Sequence, residues 1–176
     1  MSNENVGSNY LKAAHSQAVL EVTALAGQEI EMLQIRPLAK SDRETWERLW
    51  RAYLAFYHTS VPDSVFDTTF KRLMTDEPYE PSAFVAALGN ELVGLVHFLE
   101  HRHCWKIENV VYLQDLFVVP EARSTGVGRA LIQAVYQIAD QSGLGVVYWT
   151  TEHTNDTAIR LYDRIASRTK FIKYQR

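Results

Sequence analysis

The chain has 176 residues, 47% of them apolar and 22% charged, with a net charge of −3 and a pI near 6.1, the composition of one ordinary globular domain. This mild acidic balance gives no footing for a phosphate backbone, so no nucleic-acid partner is expected. Cys104 is the only cysteine, which excludes an intramolecular disulfide and a multi-thiolate metal site and makes a reducing, cytoplasmic setting the default.

Leu11, Ala14, Ala18, Val22 and Leu25 recur at three- and four-residue steps up to Gly27, which predicts an appended helix behind a polar N-terminus. Ala24-Leu25-Ala26 looks like a signal-peptide cleavage site, but His15, Ser16, Gln17 and Glu21 interrupt the apolar stretch before it. No apolar run reaches the roughly 20 residues of a membrane span. A soluble protein is expected, with no membrane partner.

Met32 to Arg36 alternates like a short strand and stops at Pro37. Ser41 with Glu44 reads as a capping box opening a helix whose apolar face carries Trp46, Leu49, Trp50, Tyr53 and Leu54. Val65, Phe66, Thr69, Phe70 and Leu73 give a second helix. The period then changes: Ala83 to Leu88 and Leu92 to Leu99 are strand-like and flank Gly89-Asn90, a hairpin signal. A third run, Asn109 to Val119, ends at Pro120. Helical spacing returns in Val127, Leu131, Ala134, Val135 and Ile138, between Gly126 and about Asp140. A strand from Val146 to Thr150, a helix from about Asn155 to Ile165 and a last short strand, Phe171 to Tyr174, complete a mixed α/β (α+β) domain.

The chemistry concentrates where the third run turns into a helix. A helix start leaves backbone N–H groups without intrahelical partners, and they point together with the positive end of the helix dipole. Gly126 and Gly128 have no Cβ to keep a pyrophosphate away from these groups, and Arg123 adds a formal charge. No Lys follows Gly128, so this is not a P-loop. Leu131 stands where a dinucleotide fingerprint needs its third glycine.

Arg123-Ser124-Thr125-Gly126-Val127-Gly128 matches a Gln/Arg-x-x-Gly-x-Gly/Ala coenzyme A loop, and Asn155 to Tyr162 matches an Asn-x-x-Ala-x-x-Phe/Leu-Tyr signature. On these two motifs, in this order, the chain from about Leu33 onward resembles the GNAT superfamily of N-acetyltransferases. The strand Tyr112-Leu113-Gln114-Asp115-Leu116-Phe117-Val118 is similar to the histone-and-other-protein and spermidine/spermine subgroups. The resemblance implies a transferase domain over residues 33–176 behind an N-terminal extension, 1–32. It also implies a twisted, mostly antiparallel sheet flanked by helices, and acetyl transfer from acetyl-CoA to a primary amine without a metal.

Residue by residue, the resemblance puts the pantetheine arm on Leu116, Phe117 and Val118. It puts the pyrophosphate on Arg123, Ser124, Thr125, Gly126, Val127, Gly128 and Arg129. Asn155 is a coenzyme contact or a helix cap. Tyr162 is the general acid by family position, whereas its spacing with Ala158, Leu161 and Ile165 equally describes a core aromatic. Gln114 and Asp115 are expected at the substrate. Gln114 stands where the spermidine/spermine type carries Glu, and an amide cannot accept a proton. Asp115 is a base, a substrate contact or a buried polar anchor; alternation turns it away from Gln114 unless a bulge re-aims it. His97, His101 and His103 lack nearby carboxylates or thiolates at ligand spacing and read as solvated turn residues, one of which could serve as a base, rather than as a metal cluster. The basic residues from Arg160 to Arg176 read as a solvated face. A homodimer is expected by resemblance, through the C-terminal strand. The alternative to catalysis is a noncatalytic acyl-CoA-binding module that keeps the loop.

Overall fold

The computed structural model describes His15, residues 20–26 and residues 29–176. Six strands form one sheet in chain order: β1 (Leu20–Ala26), β2 (Glu29–Pro37), β3 (Ser82–Leu88), β4 (Glu91–His101), β5 (Val110–Val118) and β6 (Val147–Tyr148). Neighbours are antiparallel except β5 and β6, which run parallel. The helices are α1 (Arg43–Phe56), α2 (Asp63–Leu73), α3 (Val127–Gln141) and α4 (Asp156–Tyr162).

The sheet separates two apolar layers because its strands alternate inward and outward. One face sets Ile35, Phe84, Val96, Phe98, Val111 and Leu113 against Leu131, Val135 and Ile138 of α3. The opposite face sets Val85, Leu95 and Phe117 against Trp46, Leu49 and Trp50 of α1 and Phe66 of α2.

Four local expectations are corrected. Leu20–Ala26 is not helical but a strand paired with β2, Ala26 opposite Glu29; Leu20, Val22 and Ala24 also alternate, and pairing with an available edge decides between the two periods. The rest of the proposed helix, His15 excepted, lies outside the described residues, and the boundary at residue 33 falls inside β2. Ser41 and Glu44 form no capping box. Asp42 takes that position instead, its carboxylate accepting the Ala39 N–H at 2.8 Å and a bidentate pair of bonds from Arg36. The strand expected over Val146–Thr150 is only Val147–Tyr148. Phe171 to Tyr174 forms no strand: Phe171, Ile172 and Tyr174 are exposed and the segment pairs with no strand among the described residues.

Candidate active site

Two irregularities of β5 build the site. The first is a register shift against β4: His97 pairs with Asp115, but Phe98 pairs with Leu113, so Gln114 is an extra residue on β5. A bulge of this kind breaks the alternation of side chains. Leu113 therefore faces α3, while Asp115 and Phe117 face α1, and Gln114 is left exposed. The second is a divergence from β6, whose pairing ends at Tyr112 opposite Tyr148. Val119 donates its N–H to Val93 O on β4 at 2.9 Å. The antiparallel ladder alternates, so the polar backbone groups of Phe117 face β4, and those of Leu116 and Val118 face the gap left by β6. Leu116 and Val118 thus turn backbone groups toward the gap, the Val118 carbonyl already accepting from Arg123. Phe117 does not: its backbone is committed to β4 and its ring to the layer under α1.

The loop after β5 leads into α3 through Gly126, whose φ of 98° lies in the left-handed region; a Cβ there would meet nothing within 4 Å. The first helical bond runs from Ala130 N–H to Gly126 O, so the amides of Val127, Gly128 and Arg129 lie ahead of it without helical carbonyls. Ser124 also has a positive φ, 65°. Thr125 Oγ1 donates to Ala122 O at 2.7 Å and braces the turn. A Cβ at Gly128 would make ordinary contact with Leu161 Cδ2 at 3.4 Å, so α4 packs closely over the start of α3. Arg123 leans back across the strand, its Nε–H donating to Val118 O at 3.0 Å and its guanidinium lying over the rings of Phe56 and Phe117.

Asp115 is nearly sealed from solvent, and its Oδ2 lies 2.8 Å from Nδ1 of His97. His97 is therefore not a solvated turn residue: it is buried on β4, and its Nε2 accepts the Trp46 indole N–H at 2.8 Å. His101 instead meets the Tyr148 hydroxyl at 2.9 Å, and His103 accepts the Trp105 N–H at 3.2 Å. Among the described residues no three His, Cys, Asp or Glu side chains gather as metal ligands would. Beyond Asp115 stands Tyr53, its phenol pushed far above the ordinary range by burial and then by the Asp115 charge.

Tyr162 closes α4. Its ring packs edge-on against Trp149 at 5.2 Å, and its phenol is pushed up to about 12 by burial and then by Tyr57. Tyr57 in turn packs against Tyr53 with ring centroids 5.1 Å apart. Tyr57, just past the end of α1, and Tyr162, on α4, thus come within electrostatic reach of each other. Asn155 caps α4, its Oδ1 accepting the Ala158 N–H at 3.3 Å. Sequence reasoning missed Trp46, Tyr53 and Tyr57 as site residues. The available signal was a pair of tyrosines four residues apart at the end of an otherwise apolar helix face.

The Acetyltransferase (GNAT) family model matches residues 44–166, from α1 through the end of α4. This chain belongs to the GNAT acetyltransferase family. It is 38% identical over 148 residues to the D-amino-acid N-acetyltransferase HPA3 of Saccharomyces cerevisiae, covering 83% of this chain and 91% of that protein. It is 28% identical over 105 residues to the thialysine N-epsilon-acetyltransferase of Caenorhabditis elegans, covering 60% and 65%. An aminoglycoside acetyltransferase from an uncultured soil metagenomic sample superposes with a TM-score of 0.70 at 24% identity, covering 82% of this chain and 95% of that one. The fold is the mixed α/β fold of GNAT structures, and the protein is an acetyl-CoA-dependent N-acetyltransferase acting on an amine. No helix among the described residues is long and apolar enough to cross a membrane.

Proposed function

We propose that this GNAT enzyme acetylates the primary amine of a small, amino-acid-sized molecule by direct transfer, with Asp115 receiving the amine and Tyr162 attending the leaving sulfur. The observation that carries the reading is Asp115, turned by the bulge at Gln114 to the α1 side and held beside Tyr53 next to the gap. The relative that acts on D-amino acids supports the size class.

The acceptor arrives as an ammonium, which a partly desolvated carboxylate attracts more strongly than water does. Asp115 takes up one proton and passes it to solvent, leaving a nitrogen lone pair that attacks the thioester carbon. The pantetheine lies in the gap along the backbone of Leu116 and Val118. The pyrophosphate lies on the amides of Val127, Gly128 and Arg129, where the α3 dipole favours an anion. The attack forms the C–N bond, and collapse of the adduct re-forms the carbonyl and breaks the C–S bond. The nitrogen sheds its second proton and the sulfur gains one. A phenol near 12 is a weaker acid than an ordinary thiol, so Tyr162 holds the sulfur by its O–H and passes that proton on only as the nitrogen's proton replaces it. No metal takes part. A homodimer fits the same reading, the exposed Phe171, Ile172 and Tyr174 offering apolar surface to a second copy.

The test is a thiol-release assay with mass detection of product across D- and L-amino acids, thialysine, polyamines and an aminoglycoside. Turnover of amino acids well above the others is expected. Turnover confined to polyamines or to a protein lysine would overturn the size class.

A further inference from the structure

Behind Asp115 the hydrogen bonds run in one direction. Trp46 has no exposed surface, and its Nε1–H lies 2.8 Å from Nε2 of His97. An indole nitrogen can only donate, so Nε2 of His97 carries a lone pair, and that lone pair is spent. The 2.8 Å contact between Nδ1 of His97 and Asp115 Oδ2 must then be made by an Nδ1–H. The bond at one ring nitrogen decides which nitrogen holds the proton. A neutral histidine side chain in water prefers the other tautomer.

Around His97 stand Trp46 and Trp50 from α1, with ring centroids at 5.9 and 5.3 Å, and Asp115 from β5. Tyr53 adjoins Asp115 on its far side, followed by Tyr57 and Tyr112. Arg43 lies over the rings of Trp46 and Phe70. The two tryptophans differ in one respect: the Trp50 indole N–H is buried without a partner, so both indoles pack on the imidazole and only Trp46 bonds to it.

We propose that His97 is a positioning residue for acetyl transfer: locked by Trp46 as the Nδ1–H tautomer, it pins one oxygen of Asp115 and so aims the other at the acceptor amine. The inference rests on the reading of Asp115 as the acceptor-facing group. It also removes His97 from the candidates for general base, since a proton arriving at Nε2 would have to displace the Trp46 N–H.

Two measurements test it. In protein labelled with 15N-histidine, a two-bond 1H–15N correlation spectrum at pH 7.5 should show His97 with its proton on Nδ1, the signal being assigned by its loss in His97→Asn. In kinetics, Trp46→Phe should lower kcat/KM for the amine about tenfold or more, the scale of one hydrogen bond in a charged chain, with acetyl-CoA affinity unchanged. Trp50→Phe, which removes an indole from the same imidazole but no bond, should stay within about twofold of the parent. His97→Asn, which can still donate to Asp115, should retain more activity than His97→Ala. A proton on Nε2, equal losses in the two tryptophan variants, or equal losses in the two His97 variants would overturn the proposal. Acceptor kinetics unimpaired in Asp115→Asn would instead overturn the reading of Asp115, and the tautomer could still be read independently by the spectrum.

Discussion

His97 and Asp115 pair across β4 and β5 at the position where the register slips, with 2.8 Å between Nδ1 and Oδ2. If β5 ran through Gln114 without a bulge, strict alternation would put Asp115 on the α3 face with Leu113, away from the imidazole and from Tyr53. The bulge thus decides which face this carboxylate takes. Asp115→Asn keeps the shape and removes the charge. Its kcat/KM for the acceptor should fall about 10²-fold or more, the low end for a group handling a proton, with little change in acetyl-CoA affinity by calorimetry. Acceptor kinetics equal to the parent's would exclude the role.

Tyr162→Phe deletes one hydroxyl and keeps the ring against Trp149. Turnover should fall at least about tenfold at nearly unchanged coenzyme binding. The comparison needs saturating amine and a single-turnover measurement, since slow product release would hide the defect. Parent-like chemistry in that assay would leave Tyr162 as a core aromatic.

The same tyrosine makes stability depend on alkaline pH. In the unfolded chain its phenol loses its proton around the ordinary value of 10, whereas in the fold it keeps the proton to about 12. Between those values the unfolded state binds fewer protons, so stability falls as pH rises. The contribution is fully present below pH 10 and lost on passing pH 12, about 3 kcal/mol in all. Tyr53 acts in the same direction. Urea unfolding at pH 9 and pH 12 should therefore show a smaller decline for Tyr162→Phe than for the parent, and equal declines would contradict the buried phenol.

Gly126→Val tests the anion loop. The added atoms meet no protein neighbour, so they project where the pyrophosphate would lie, and the φ of 98° strains a β-branched residue by roughly 1–3 kcal/mol. The variant should fold with a lower Tm and should no longer gain stability from acetyl-CoA, as the parent does by ligand linkage. Retained stabilisation would move the coenzyme elsewhere.

Sedimentation velocity at micromolar concentration should report a dimer, and Ile172→Asp, a change at an exposed apolar position, should shift it toward monomer. A monomeric parent would reject the association.

The elements of the fold were legible wherever burial on one side imposes a period: α1, α2 and α3 by their apolar faces, and β3, β4 and β5 by their runs of β-branched and aromatic residues. The glycine turn from β5 into α3 was legible too, because it is a matter of backbone. Backbone geometry there depends on local residue choice, glycine at Gly126 above all, and local choices are written in consecutive residues. Segments whose state depends on a partner were misread. Leu20–Ala26 satisfies both periods, and only pairing with β2 makes it a strand; Phe171–Tyr174 has strand composition and pairs with no strand among the described residues. The acceptor side of the site was decided by tertiary structure alone. A bulge set the face of Asp115, and α1 brought Trp46 and Tyr53 to it from more than sixty positions away in the chain. Helix α4 brought Tyr162 within the field of Tyr57. Such contacts are made by side chains that packing, not sequence neighbourhood, brings together, and no local pattern records them.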